Sequence, residues 1–220
     1  MQADFFKNNF SLRILSGIFI VLITLFSIFS SFVFFLLYLV ILYSGMCIEW
    51  VRIAAKSKFN QVVGCFAIFF SIFSLVIIKL MKGGDYVLLW LFVTIWCYDS
   101  FAMIGGKFIG GRKLAESISP KKTWSGVLTG VIFSSLILSI IDLFVVFKDT
   151  GNYFIFDYNI IFPTVIFSIF AQLGDLLESF YKRKYKVKDS GDVIPGHGGV
   201  LDRYDSFILC SPILLFLMVF

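Results

Sequence analysis

Charge is scarce in this sequence: Asp, Glu, Lys and Arg make up 15% of 220 residues, against 59% hydrophobic residues. That ratio excludes an ordinary soluble domain, which needs enough polar surface to cover its core. Histidine is scarcer still, with His197 alone. The four cysteines, Cys47, Cys65, Cys97 and Cys210, lie apart in apolar stretches without CxxC spacing. A zinc site built on clustered His or Cys is therefore disfavoured, as is a disulfide framework, and the thiols read as small hydrophobes. No internal repeat or low-complexity linker is present. No A-x-A-like site follows the first apolar run, which argues against a cleaved signal peptide. The net charge of +5 would suit nucleic acid, but the basic residues fall in short segments between apolar runs. Membrane topology accounts for them, and no nucleic-acid partner is expected.

What the chain does have is 29 Phe, a mean hydropathy of +0.94 and long uncharged runs, so its solvent is lipid. The stretch from Ile14 to Met46 is free of charge. As one helix it would extend about 50 Å against a hydrocarbon core of roughly 30 Å, so it must fold back. Ser27, Ser30 and Ser31 offer the turn. The pattern predicts spans over 12–29, 32–51, 61–81, 86–105, 124–147 and 159–178, with a last one beginning near Tyr204. The expected fold is all-α, a polytopic membrane helix bundle of about seven transmembrane helices. The final apolar run, 207–220, is short for a span. Either that helix begins inside the preceding charged segment, or the chain is a shortened form of something longer.

Cytoplasmic loops carry the Lys and Arg. Lys7 and Arg13, then Arg52, Lys56 and Lys58, then Lys107, Arg112, Lys113, Lys121 and Lys122, then Lys182, Arg183, Lys184, Lys186, Lys188 and Arg203 fall in one alternate set of loops. The other set holds Lys79, Lys82 and Lys148. The N-terminus is accordingly expected in the cytoplasm. One integral membrane domain results, with N-terminal transmembrane helices over 1–98 and a second membrane region over 99–220 that carries two basic cytoplasmic loops, 106–123 and 179–205.

The first of these segments follows Asp99 and holds Gly105, Gly106, Gly110 and Gly111 among Lys and Arg. Glycines let backbone N–H groups approach an anion, but no Gly-Lys-Ser/Thr follows at P-loop spacing. The second is more specific. Asp175 and Glu178 stand three apart on one helix face, beside Ser179, and Asp202 and Asp205 repeat that spacing as the next span begins. Acids at a membrane boundary need cations, supplied either by a metal ion or by the adjacent Lys/Arg run. Glu49, beside Trp50 and Arg52, reads as a span-end ion pair. Asp142 lies deeper, and nothing in the sequence supplies its partner.

Ser179, Lys182-Arg183, Lys188-Asp189, Gly191, Ile194-Pro195, His197-Gly198-Gly199, Asp202-Arg203 and Asp205 together resemble the signature of the phosphatidate cytidylyltransferases, or CDP-diacylglycerol synthases. Ile118 to Trp124 and Gly174-Asp-Leu are similar to that family too. The likeness covers Asp99 to Ser206, while the N-terminal hairpin matches in hydropathy alone. Met103, where the family pattern has an aromatic, is a departure. The resemblance implies a nucleotidyltransferase of phospholipid biosynthesis that converts CTP and phosphatidate into CDP-diacylglycerol and pyrophosphate with Mg²⁺, a second monovalent or divalent cation being allowed.

Displacement between two anions needs countercharge. Asp175, Asp202 and Asp205 are the leading metal-ligand candidates, followed by Glu178 and Asp99, since hard oxygen donors suit Mg²⁺. Lys188, Arg203 and His197 join the first three as catalytic candidates. Ser119, Lys121, Lys122, Lys182, Arg183, Gly198 and Gly199 are the substrate-binding candidates. Phosphatidate is already an anion, so His197 fits phosphate contact or loop ordering better than base catalysis. The expected setting is a bacterial inner membrane with the site on the cytoplasmic side, and a homodimer is left open. A CTP-dependent polyprenol or phytol kinase is the alternative enzyme, and a small membrane transporter with acids along its path is the non-enzymatic one.

Overall fold

Each uncharged run of the sequence winds into a helix, because only a helix satisfies its own backbone hydrogen bonds in lipid. The computed structural model describes residues 2–144, 159–194 and 198–219. Among them are seven helices: α1 (Gln2–Phe29), α2 (Phe32–Ile53), α3 (Lys58–Leu80), α4 (Gly84–Phe108), α5 (Trp124–Phe144), α6 (Ile161–Lys184) and α7 (Leu201–Val219). Five of these, α2 to α6, are long and apolar enough to cross a membrane, and α1 contributes the shorter apolar stretch Ile14–Phe29. Their outward faces carry Phe19, Phe26, Phe59 and Phe66, all exposed. Such a surface would be costly in water and is the normal surface in lipid.

The break between α1 and α2 falls at Ser30 and Ser31, where Ser31 has extended backbone and its carbonyl accepts from Phe35 N. Helices also run past the predicted spans. The last turn of α6 includes Lys182, Arg183 and Lys184, cations that complement the helix dipole at a C-terminus. Helix α7 begins at Leu201, inside the charged segment, so the short apolar run belongs to a helix of 19 residues. The basic segment after α4 is not a plain loop. Gly110 and Gly111 take positive φ of 66° and 96°, a turn that suits glycine. It leads into an antiparallel hairpin of β1 (Lys113–Ala115) and β2 (Ser119–Thr123), with Lys113 opposite Thr123 and Ala115 opposite Ser119.

The chain divides into two compact units, Met1–Phe69 with Lys182–Tyr204, and Phe70–Tyr181 with Asp205–Phe220. In the first, Trp50 donates from Nε1 to the Asn60 carbonyl at 2.9 Å. A run of hydroxyls passes from Tyr204 through Tyr38 (2.8 Å) to Thr24 (2.6 Å), which itself donates to the Ile20 carbonyl. In the second, Trp90 meets Phe167 edge-on at 5.2 Å, and Phe92 lies 4.4 Å from Phe207 between ring centroids. Helices α4 and α5 approach closely because Gly126 and Gly130 present no side chain: a Cβ on Gly126 would sit 2.6 Å from the Ala102 carbonyl oxygen. Small residues at helix contacts are the usual device where lipid removes the hydrophobic driving force. Interhelical hydroxyl bonds such as Ser134 to Ser168 (3.0 Å) and Ser71 to Ser211 (2.8 Å) add to it.

Candidate active site

In the second unit, α6 brings Asp175 and Glu178 one turn apart to the place where α7 presents Asp205. One carboxylate oxygen from each of the three lies within 4.8 Å of the others. Gly174 makes this possible. A Cβ there would lie 2.9 Å from Ser206 Cα and 3.0 Å from the Asp205 carbonyl oxygen, so the two helices touch backbone to backbone beside the acids. Ser206 fastens the contact by donating from Oγ to the Ala171 carbonyl at 3.1 Å. Glu178 and Asp205 are buried and Asp175 is half-buried. Ser179 Oγ donates to Asp175 Oδ1 at 3.3 Å.

Lys122 reaches this cluster from β2 and forms an ion pair with Asp175. Its placement follows from local sequence. Thr123, the last residue of β2, accepts at Oγ1 from Gly126 N at 3.1 Å, an N-cap that starts α5. The Pro-Lys-Lys-Thr run is thus held as a strand immediately ahead of the cap. Lys121 is exposed, and Ser119 at the head of β2 is half-buried. Asp99, exposed on α4, adds to the acidic field felt by Asp205. Its neighbour Tyr98 donates to Gln172 Oε1 at 2.9 Å. The donors gathered here are carboxylate oxygens, which fits a hard divalent cation such as Mg²⁺ and not a soft one.

Asp202 lies in the first unit and keeps different company. Lys182 Nζ meets its Oδ1 at 2.6 Å, with both side chains nearly buried. Its Oδ2 accepts from Ser190 N and Gly199 N, each at 3.0 Å. Burial raises its proton affinity, but the Lys182 hydrogen bond and charge and the two backbone donors outweigh that and hold the carboxyl below its ordinary range. Gly198 has φ of 86° and its Cβ position lies 2.9 Å from Asp202 Oδ2. Ile194 N donates to the Gly198 carbonyl at 2.9 Å, which closes the turn. Lys188, Arg183 and Arg203 are exposed around this loop, with Arg183 donating to the Val187 carbonyl. His197 lies outside the described residues.

The structure therefore gathers Asp175, Glu178, Asp205 and Lys122 at one point, and gathers Lys182, Asp202, Gly198 and Gly199 around the signature loop. Two participants, Ser190 and Glu49, are not among the site residues expected from the sequence. Ser190 Oγ donates to Glu49 Oε2 at 2.7 Å, and Glu49 also accepts from Val200 N and Leu201 N. No ion pair joins Glu49 to Arg52 among the described residues: Glu49 is buried against the loop, while Arg52 is exposed. A lone acid at the end of an otherwise apolar hairpin was the available signal.

Fold and site together define an integral membrane helix bundle with a buried carboxylate cluster and a lysine set against it. The model of the Cytidylyltransferase family matches residues 58–220. A phosphatidate cytidylyltransferase of Rickettsia bellii (strain RML369-C) is 39% identical over 99% of this chain and 94% of its own length. One from Rickettsia conorii (strain ATCC VR-613 / Malish 7) is 38% identical over 96% and 92%. One from Bacillus subtilis (strain 168) is 41% identical over 64% of this chain and 51% of its own. The chain belongs to the cytidylyltransferase family.

Proposed function

We propose that this protein is a phosphatidate cytidylyltransferase, which joins the cytidylyl group of CTP to phosphatidate and releases pyrophosphate. The observation that carries the reading is the Lys122–Asp175 contact. It joins the Ser-Pro-Lys-Lys-Thr segment to the acidic pair of α6, two stretches 50 residues apart that both resemble the family's motifs. Asp175, Glu178 and Asp205 would hold Mg²⁺. When bound, the cation supplies countercharge that lets two anionic substrates approach and stabilises a pyrophosphate leaving group.

The chain's own residues do the rest by binding and positioning. Lys122 balances the acids from one side, and Lys121 beside it is free to meet a phosphate. Lys188, Arg183 and Arg203 offer charge to phosphate oxygens around the Gly198-Gly199 turn, whose Gly199 N–H is held by Asp202. Lys182 and Asp202 fix the shape of that turn. The attacking phosphate is already ionised near neutral pH, so no side chain has to take a proton from it. Both basic segments lie on the cytoplasmic side of a bacterial inner membrane in this reading. Cysteine labels near Lys56, Lys113 and Lys186 should then react from the cytoplasm and a label near Gly83 from the opposite side. Reaction of the Lys186 label from outside would remove access to CTP and overturn the orientation.

The chemistry is tested by the fate of CTP labelled in its base. Purified protein with phosphatidate and Mg²⁺ should move the label into lipid. Label recovered as free CDP with a phosphorylated lipid would instead identify a γ-phosphoryl-transferring kinase.

A further inference from the structure

We infer that Glu49, in the N-terminal hairpin, is a positioning residue for cytidylyl transfer: its buried carboxylate clamps Ser190 and Gly191 to Gly199–Leu201, the two ends of the signature loop, and so sets the basic residues beside them to receive nucleotide phosphates. The inference rests on the reading of that loop as a phosphate-binding element. Glu49 stands outside residues 58–220, the part of the chain that the family model matches.

An ionised carboxylate is expensive to bury, and it is tolerated where donors replace its water. Glu49 is 1% exposed. Ser190 Oγ donates to it at 2.7 Å, Val200 N at 2.9 Å and Leu201 N at 2.8 Å. The two backbone donors open α7, where the first N–H groups have no partner within the helix and the dipole favours negative charge. A residue on α2 thus supplies the cap for a helix that starts 152 positions further along the chain.

The loop is cut to enclose this carboxylate. A Cβ at Gly191 would fall 2.8 Å from Glu49 Oε1. At Gly199 it would fall 2.4 Å from Glu49 Oε2 and 1.9 Å from Ser190 Oγ. Neither position can carry a side chain while Glu49 is in place, and both glycines belong to the signature. Ser190 then passes the constraint on. Its Oγ lies 3.4 Å from Asp202 N and its own N–H donates to Asp202 Oδ2 at 3.0 Å. Asp202 in turn holds Lys182 and Gly199 N. One acid from the hairpin thereby fixes both ends of the loop, the orientation of the Lys182–Asp202 pair and the direction of the Gly199 N–H.

The test uses the full chain in detergent with Glu49→Gln, Ser190→Ala and the double substitution. Gln keeps the volume but sets an NH₂ group against at least one donor. The expected result for Glu49→Gln is a fall in kcat/KM for CTP of about tenfold or more, while KM for phosphatidate stays within about twofold. Trypsin should cut the Arg183–Lys188 stretch several-fold faster at a temperature well below the thermal midpoint of either protein. The double variant should lose little more than the worse single one, because the two groups act as a unit. Wild-type kcat/KM with wild-type protease resistance would overturn the inference, as would equal losses toward both substrates. If Glu49→Gln does not fold, Ser190→Ala decides by the same readouts. If the wild-type protein forms no liponucleotide, the functional reading fails by itself. The proteolysis comparison still decides the clamp: faster cleavage in Glu49→Gln supports it and equal rates refute it.

Discussion

Divalent cation should stabilise this protein, and the size of the effect follows from the acid cluster. Asp175, Glu178 and Asp205 place carboxylate oxygens within 4.8 Å of one another. At an effective dielectric of about 20, two ionised carboxylates at that distance repel by roughly 3.5 kcal/mol. Lys122 offsets part of this at Asp175. A cation bound by the native site alone, present at about a hundred times its dissociation constant, stabilises by about 2.7 kcal/mol. For a chain of this length that corresponds to a rise in thermal midpoint of about 5–10 °C. The assay is unfolding of the detergent-solubilised protein, followed by tryptophan fluorescence, with MgCl₂ against KCl at matched ionic strength. Matching is needed because simple screening also relieves repulsion. Asp205→Asn and Glu178→Gln should each remove most of the magnesium increment, whereas Asp85→Asn, at the α3–α4 turn, should keep it. An equal rise in KCl, or a full increment in Asp205→Asn, would refute the reasoning.

Three further outcomes are expected. Lys182→Met leaves Asp202 without its nearly buried cation and should cost about 3–5 kcal/mol near neutral pH. The Asp202 carboxyl is held below its ordinary range, so the stability it contributes is present above the unfolded value of about 3.9 and is lost as pH falls through the lower folded value. Burial without Lys182 pushes the carboxyl up in the variant, so denaturation at a series of pH values should show the gap between wild type and Lys182→Met widest near neutral pH and narrowing steadily in acid; a gap that widens in acid would contradict this. Gly199→Ala should disrupt the signature loop, since its Cβ would stand 1.9 Å from Ser190 Oγ. Gly110→Ala, with φ of +66° but open space around it, should cost only about 1–2 kcal/mol of backbone strain. Comparable thermal midpoints for the two alanine variants would contradict that contrast.

The helices were legible because lipid imposes a simple rule: a long run without charge must be a self-satisfied helix. The break at Ser30–Ser31 followed from length, which demanded a turn, and from the serine cluster, which offered one. Helix ends were less legible, as Lys182 to Lys184 show, since a charged turn beyond the apolar run can still be helical. The β1–β2 hairpin left no pattern to read, because its strands are short, basic and without alternation. Among the acids, spacing announced that Asp175 and Glu178 share a face. It did not announce that Asp205 would join them while Asp202 would pair with Lys182, which depends on the backbone contact at Gly174 and on the turn at Gly198. Glu49 was visible as a charge and illegible as a cap, because its partners lie about 150 residues away.

The central claim, that the α6–α7 carboxylates carry cytidylyl transfer, is tested most directly by the turnover of purified Asp205→Asn. The substitution keeps the side chain's size and removes its charge. With CTP, phosphatidate and limiting Mg²⁺, liponucleotide formation should fall by about a hundredfold or more in a variant that inserts and folds normally. Near-normal turnover under those conditions would mean that Asp205 is not a metal ligand and that the chemistry is done elsewhere.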